Sequence, residues 1–178
     1  MQDDHFDHDK PVETMWAGRF IEAKRKGRWE YVARTRGIHA AVILAVQDDH
    51  VLLVEQYRVP LGRRCVELPA GLIGDETDGE DPVEAAGREL EEETGWRAGR
   101  VEPMGDFWSA PGLVSESFTL MRATDLIQVG PGGGVDGEDI TVHHVRLSEI
   151  PAFLDERRAA GCGVDVRLLM LLGPANIA

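Results

Sequence analysis

Two apolar runs that lie close together constrain the fold of this 178-residue chain more than any other feature. Residues Ile38 to Val46 are almost continuously apolar, and a second run, Val51 to Tyr57, follows after the polar turn Gln47 to His50. A strand that is apolar on both faces has to be covered on both faces. We therefore predict that these two runs are buried strands at the centre of a sheet.

Strands and helices are interleaved along the rest of the chain without strict alternation. The other predicted strands span residues 63–67, 101–108, 116–124 and 140–147, and the predicted helices span 82–94, 148–160 and 164–172. Short alternating runs at 19–23 and 28–34 flank polar residues and predict an N-terminal β-hairpin. This order favours a mixed sheet with helices packed on it, which is an α/β (α+β) architecture.

We expect one main domain over residues 37–178, preceded by a hairpin region over residues 15–36. Hydrophobic residues make up 43% of the chain, which is enough for one well-buried core. Residues 1–14 are acidic and polar, and we expect them to form a flexible tail because polar termini are usually mobile. The aspartates and histidines of this tail are assigned no role.

Charge and cysteine content limit the partners of the protein. The net charge is −13, with 32 acidic and 19 basic residues, which disfavours binding to nucleic acid. The longest apolar run, Ala40 to Val46, is too short to cross a membrane, and no export signal is recognisable at the N-terminus. Cys65 and Cys162 are expected to be buried thiols in a reducing compartment, so we predict a cytoplasmic protein.

One predicted helix has unusually clear boundaries. It runs from Pro82 to Thr94, with Asp81 as the N-cap, Glu84 completing a capping box and Gly95 as the stop. Proline at the first position and glycine just beyond the end are typical of helices.

The second half of this helix carries a cluster of carboxylates. Glu89, Glu92 and Glu93 share one face, because residues three and four apart are neighbours on a helix. Like charges at this spacing cost about 0.2–0.5 kcal/mol, and carboxylates near a helix C-terminus also oppose the macrodipole. The nearest basic residues, Arg88 and Arg97, are not expected to neutralise the cluster. Since a solvated face needs no such clustering, the pattern favours a site for a divalent cation such as Mg²⁺.

The helix is part of a longer motif of fixed spacing. The pattern Gx5Ex7RELxEExGW runs from Gly74 to Trp96 and resembles the complete signature of the Nudix family. Members of this family are hydrolases that cleave nucleoside diphosphates linked to another group. The resemblance implies a Nudix-fold α/β/α sandwich with a mixed sheet.

Several further segments resemble the ADP-ribose pyrophosphatase branch of that family. They are WEYVAR at 29–34, EQYR at 55–58, ELPAG at 67–71, Pro111 sixteen residues after Gly95, and DGE at 136–138. One departure stands out: in that branch the glycine of ELPAG opens the signature, whereas here Gly71 lies three residues before Gly74. The loop between Gly71 and Glu80 is correspondingly longer.

The resemblance implies a role for each matching residue. The expected ligands of two or three Mg²⁺ ions, with Mn²⁺ as an alternative, are the Ala70 carbonyl, Glu89, Glu92 and Glu93. The expected catalytic residues are Glu92 and Glu138, with Glu138 as the candidate base on a glycine-rich loop. The expected substrate-binding residues are Trp29, Glu30, Arg34, Arg58 and Leu72. The expected structural residues are Gly74, Glu80, Arg88, Gly95 and Pro111.

Three of these residues have a simpler alternative interpretation. Glu138 is either the base or an exposed loop acid. Arg58 either binds a phosphate or forms a surface salt bridge. Trp29 either stacks on an adenine ring or lies in the core. In the ADP-ribose branch the N-terminal region is exchanged across a homodimer, so a homodimer is predicted; Leu168 to Leu172 would pack on that interface or on the chain's own sheet.

The predicted function follows from the resemblance. It is the Mg²⁺-dependent hydrolysis of a nucleoside diphosphate sugar, with ADP-ribose cleaved to AMP and ribose 5-phosphate as the best guess. A second hypothesis is another nucleoside diphosphate sugar such as GDP-mannose, because the metal-binding residues do not contact the base or the sugar. A third is a Nudix-like binding or regulatory domain without turnover.

Overall fold

The computed structural model describes residues 7–35, 39–73, 81–135 and 137–173. The strands are β1 (Val12–Ala17), β2 (Ile21–Lys26), β3 (Trp29–Arg34), β4 (His39–Gln47), β5 (His50–Arg58), β6 (Arg63–Glu67), β7 (Ala70–Ile73), β8 (Trp96–Phe107), β9 (Phe118–Gln128), β10 (Thr141–Arg146) and β11 (Gly163–Val164). The helices are α1 (Pro82–Thr94), α2 (Ile150–Ala159) and α3 (Leu169–Leu172).

The two apolar runs of the sequence form the central strands β4 and β5, as predicted. The main sheet has the order β11-β6-β5-β4-β9-β8, with β10 also paired to β5 and β7 also paired to β4. β4 runs parallel to β9, and β6 runs parallel to β11, whereas the other pairs are antiparallel. The predicted mixed sheet is therefore confirmed.

Helices cover both faces of this sheet. Alternate residues of β4 point to opposite faces, so Val42 lies in one apolar core and Ile43 in the other. Leu154 of α2 packs with the Val42 core, and Leu90 of α1 packs with the Ile43 core; both leucines are fully buried. Burial of one such side chain stabilises the fold by about 1.5–3 kcal/mol. The arrangement is the predicted α/β/α sandwich.

The N-terminal region is a sheet of three strands rather than a two-stranded hairpin. β2 pairs with β1 and β3 in antiparallel register, and β1 begins at Val12. Residues 12–14, which we expected in the flexible tail, therefore belong to this sheet. The backbone of Val32 joins it to the main domain through bonds with Leu113 (2.9 Å) and Ser115 (3.0 Å).

Helix α1 has the predicted bounds, whereas the two C-terminal helices differ from the prediction. Ser148 does not cap α2, which begins at Ile150 after a short 3-10 turn. The predicted helix 164–172 is replaced by the short strand β11, a 3-10 turn and α3. The side chain of Asp165 caps that turn by accepting a bond from the Arg167 backbone N–H at 2.7 Å, which interrupts a continuous helix. Within the described residues, no helix is long and apolar enough to span a membrane.

Candidate active site

A cleft of about 660 Å³ opens between α1 and the sheet, and most of the predicted site residues line it. Those that do are Arg34, Arg58, Ala70, Leu72, Arg88, Glu89, Glu92, Glu93 and Glu138. They come from β3, β5, β7, α1 and the glycine-rich loop before β10. The fold therefore brings together residues as far apart in the sequence as Arg34 and Glu138.

Glu93 is the most deeply placed of the α1 carboxylates, with only 5% of its surface exposed. Its Oε2 accepts a bond from the Ala70 backbone N–H at 3.0 Å. Burial raises the pKa of Glu93 to about 8. The negative charges of Glu89 and Glu138 add to this effect, and the Ala70 bond and the charge of Arg58 act against it. The buried end of the cleft is thus a place where negative charge is poorly compensated.

Glu89 lies directly over the backbone of Gly71. A Cβ atom at position 71 would come within 2.1 Å of the Glu89 Cδ, so any other residue would force the Glu89 side chain to move. The last glycine of ELPAG therefore has a steric function here, although it does not open the signature. Strand β7, which carries Gly71, was not predicted; it pairs with β4 and holds this backbone against α1.

Arg88 corrects one expectation about the acidic cluster. Its guanidinium Nη1 lies 3.0 Å from Glu89 and 3.2 Å from Glu92, which is four residues further along the helix. Arg88 therefore partly neutralises the cluster, contrary to our prediction, and it contacts carboxylates as its expected structural role requires. Glu91 does not line the cleft and accepts two bonds from Arg97 at 2.8 and 2.9 Å.

The glycine-rich loop that carries Glu138 is attached to the C-terminal end of α1. The backbone N–H of Gly133 donates to the Glu93 carbonyl at 2.8 Å, and that of Gly134 donates to the Glu92 carbonyl at 3.1 Å. These bonds satisfy carbonyl groups that are left without partners at a helix end. Glu138 is an exposed loop acid, yet it lines the cleft and its charge acts on Glu93.

Gly95 explains how the loop can approach the helix so closely. It ends α1 in the left-handed conformation, with φ 73°, and its N–H donates to the Glu91 carbonyl at 2.8 Å. A Cβ atom at this position would lie 2.3 Å from the Gly130 carbonyl oxygen. Gly95 is therefore required both for the helix stop and for the contact with the loop.

The donor chemistry of the cleft fits a divalent cation. As the side chains are placed, no three His, Cys, Asp or Glu residues of the described segments converge into a ready-made metal site. However, the cleft is lined by four carboxylates that offer hard oxygen ligands: Glu89, Glu92, Glu93 and Glu138. Their negative charges repel one another around the buried Glu93, and a bound cation would relieve this repulsion.

The cleft is also lined by arginines whose charges are paired. Arg58 donates two bonds to the buried Glu67, at 2.7 and 2.8 Å, and Arg167 donates to the same carboxylate at 3.2 Å. Arg167 also donates to Asp165 at 2.6 and 2.7 Å. Arg58 thus forms an ion pair, as one of our two interpretations held, but with a buried partner and at the edge of the cleft.

Several residues that line the cleft were not predicted to have a role. They are Gln56, Glu67, Ser109, Glu116, Phe118, Asp165 and Arg167. Glu116 is paired with Arg34 through a close side-chain contact. The sequence offered one signal for two of these residues: Asp165 and Arg167 are charged residues within the otherwise apolar segment 164–172.

Some predicted residues lie outside the cleft. Trp29 is 57% exposed on the N-terminal sheet, so the prediction that it lies in the core is wrong, and Glu30 beside it is also exposed. Neither residue lines the cleft, and Pro111 lies in an exposed turn. Gly74 and Glu80 fall outside the described residues.

The apolar C-terminal segment packs on the chain's own sheet. Leu168 is 1% exposed and belongs to the core that α2 covers, with Leu171 and Leu172 packed against it. Leu169 and Met170 are exposed. Of the two interpretations of this segment, packing on its own sheet is the one observed.

Comparisons with known proteins place the chain in a family. Residues 35–159, more than half of the chain, match the model of the NUDIX domain. A structure described as an ADP compounds hydrolase has 25% sequence identity and a TM-score of 0.67, over 91% of this chain and 89% of the other. The chain therefore belongs to the Nudix family of hydrolases, whose members generally use divalent metal ions.

Several curated relatives have names that specify a substrate, and two of them illustrate the range. The ADP-ribose pyrophosphatase of Bacillus subtilis is 33% identical over 120 residues, which cover 66% of this chain and 63% of the relative. The GDP-mannose pyrophosphatase of Pectobacterium atrosepticum is 33% identical over 151 residues, which cover 80% of this chain and 74% of the relative. The chain is thus similar to enzymes of one reaction type that differ in nucleotide and sugar.

Proposed function

We propose that this protein hydrolyses the pyrophosphate bond of a nucleoside diphosphate sugar, with ADP-ribose cleaved to AMP and ribose 5-phosphate. The observation that carries the proposal is that one cleft is lined both by the carboxylates of α1 and by arginines from other parts of the fold. The carboxylates are suited to bind Mg²⁺, and the arginines to face an anionic substrate. The names of relatives support the reaction type.

Two or three Mg²⁺ ions would be held by Glu89, Glu92, Glu93 and the carbonyl of Ala70, and they would supply positive charge to the phosphate oxygens and to the attacking water. Arg88 would orient the carboxylates of Glu89 and Glu92, to which it is already bonded. Mn²⁺ has the same preference for oxygen ligands and is the alternative cation.

Glu138 would accept a proton from water as the water oxygen adds to one phosphorus. The bond from that phosphorus to the bridging oxygen then breaks, and the bridging oxygen leaves with the second phosphate. Arg58 lines the cleft with 40% of its side chain exposed, so it can approach a phosphate while its bond to Glu67 holds it in place.

A chromatographic product assay tests this proposal. The protein is incubated with Mg²⁺ and with ADP-ribose, GDP-mannose, UDP-glucose, NADH or a diadenosine polyphosphate, each with an EDTA control. We expect AMP from ADP-ribose in preference to the other products, and no product in EDTA. Turnover that EDTA does not abolish would contradict the role assigned to the α1 carboxylates.

GDP-mannose is the second candidate substrate, because the relative that is named for it aligns with more of this chain. Preferred turnover of GDP-mannose would support the proposed pyrophosphate hydrolysis but replace ADP-ribose as the substrate. A binding domain without turnover is the third candidate, and it would show saturable binding of ADP-ribose without product.

We further propose a homodimer, in which Trp29 and Glu30 of one subunit serve the site of the other. Their exposure on the N-terminal sheet, outside the cleft of their own chain, is compatible with this role. Sedimentation equilibrium would distinguish a dimer from a monomer, and loss of activity in Trp29→Ala would test the contribution across the interface. Cytoplasmic localisation stays a prediction.

A further inference from the structure

Arg64 of β6 holds together two parts of the chain that are far apart in sequence. On one side its guanidinium donates to Glu55, at 2.8 Å to the carboxylate and at 2.7 Å to the backbone carbonyl. On the other side it donates to Asp139, at 2.6 Å to the carboxylate and at 3.2 Å to the carbonyl, and to the Thr141 hydroxyl at 3.0 Å. A planar guanidinium directs its donors rigidly, so this contact fixes position as well as distance.

The two sides of this contact differ in burial. Glu55 is only 6% exposed, and it also lies 3.1 Å from the ring of His143, so this end is anchored in the interior. The side chain of Asp139 is 84% exposed, so burial does not hold it in place. Arg64 therefore anchors an exposed residue of the loop to the sheet.

Asp139 directly follows Glu138, the candidate base. The side chain and the N–H of Glu138 bond to the backbone of Val135, at 3.1 and 3.0 Å, and both bonds lie within the loop itself. They shape the loop but do not fix it relative to the sheet. Its glycine half is attached to α1 by Gly133 and Gly134, whereas the half that follows Glu138 is attached by Arg64.

We propose that Arg64 is a positioning residue, which holds the Glu138 carboxylate at the cleft by clamping Asp139. The inference rests on the proposed function for the role of Glu138 in the reaction. Arg64 and Asp139 lie outside the motifs that resemble the family signature, so the resemblance assigns neither residue a role. Catalysis depends on the position of a base to within a fraction of an ångström, so a looser clamp lowers turnover without weakening substrate binding.

Two substitutions loosen the clamp from opposite sides. Asp139→Ala removes the exposed side chain and leaves the Arg64–Glu55 contact intact, so it is the variant less prone to disturb folding. Arg64→Lys keeps the charge but loses the planar fork. In both variants we expect kcat to fall about tenfold, with KM for the nucleotide sugar changed by less than about twofold. Asp155→Ala is the matched control, because Asp155 is similarly exposed (77%) and pairs with Arg158 at 3.1 Å.

A double variant separates positioning from a general structural effect. If Arg64 acts through Glu138, Arg64→Lys has little further effect on kcat once Glu138→Gln is present. If the two losses of kcat instead multiply, Arg64 acts by another route and the inference is overturned.

Amide hydrogen exchange gives a readout that needs no substrate. Peptides that contain Val135 or Glu138 should exchange faster in Asp139→Ala and Arg64→Lys than in the wild type or Asp155→Ala. Unchanged exchange in both clamp variants would overturn the inference, whatever the substrate is. If exchange quickens but no nucleotide sugar is turned over by the wild type, the clamp stands and the proposed function fails.

Discussion

Two carboxylates in the cleft, Glu93 and Glu67, are almost equally buried, with 5% and 3% of their surfaces exposed, but their surroundings are opposite. Glu67 accepts two bonds from Arg58 and one from Arg167. Glu93 accepts one bond from a backbone N–H, and the charge of Arg58 acts on it only from a distance, together with the charges of two other carboxylates.

The difference teaches how burial and function are connected in this protein. A buried charge is tolerated when the protein itself supplies opposite charge and hydrogen bonds, as it does for Glu67. At Glu93 the protein supplies neither in full, and burial raises the pKa of the carboxyl group. A structural carboxylate and a candidate metal ligand are therefore distinguished by their partners and not by their exposure.

The largest expected effect is the loss of turnover in Glu93→Gln. A neutral amide is not repelled by the neighbouring carboxylates, so the fold should remain intact. We expect kcat to fall by about a thousandfold because a cation ligand is lost. Product formation from the nucleotide sugar measures kcat, and circular dichroism monitors the fold. Glu91→Gln on the same helix is the control, since Glu91 pairs with Arg97 outside the cleft. Wild-type turnover in Glu93→Gln would remove the basis for a metal site on α1.

The second effect is a loss of stability in Glu67→Gln. Removal of this charge leaves Arg58 and Arg167 without their shared buried partner, and we expect the free energy of unfolding to fall by about 3 kcal/mol. Urea denaturation followed by fluorescence measures the change. Glu102→Gln breaks the exposed pair with Arg100 and should change the free energy by less than about 0.5 kcal/mol. Equal effects of the two substitutions would mean that Glu67 is not a structural carboxylate.

The smallest effect concerns the stabilisation of the folded protein by Mg²⁺. A ligand that binds only the folded state at ten to a hundred times its Kd raises the free energy of unfolding by about 1–3 kcal/mol. We expect this increment in the wild type and in Glu67→Gln, but not in Glu93→Gln. Thermal unfolding with MgCl2, compared with NaCl at equal ionic strength, measures it. An increment that disappears in Glu67→Gln and persists in Glu93→Gln would reverse the roles assigned to these residues.

Local signals in the sequence were most informative where they act over a few residues. The N-cap, the first-turn proline and the terminal glycine defined α1 to the residue, because capping depends on neighbours in the chain. The apolar runs defined β4 and β5, since burial on both faces requires continuous apolarity. The same reasoning failed for residues 164–172, where the side chain of Asp165 begins a separate turn.

The composition of the cleft could be predicted only in part. Spacing on a helix placed Glu89, Glu92 and Glu93 together, but nothing in the chain near Glu67 indicates that Arg167 lies beside it, a hundred positions away. Such contacts depend on how strands are ordered in the sheet, which pairwise spacing does not encode.

By itself, the sequence determined the family, the carboxylate face of α1 and the buried pair of strands, because these depend on fixed spacings and on periodic burial. Only the tertiary structure decided which carboxylates have their charge neutralised by nearby basic groups. It paired Glu67 with Arg58 of the neighbouring strand and with Arg167, a hundred positions away. It also left Glu93 facing other carboxylates, and attached the loop of Glu138 to α1 and to Arg64. The physical reason is that the energy of a buried charge depends on groups within a few ångströms in space, whatever their separation along the chain.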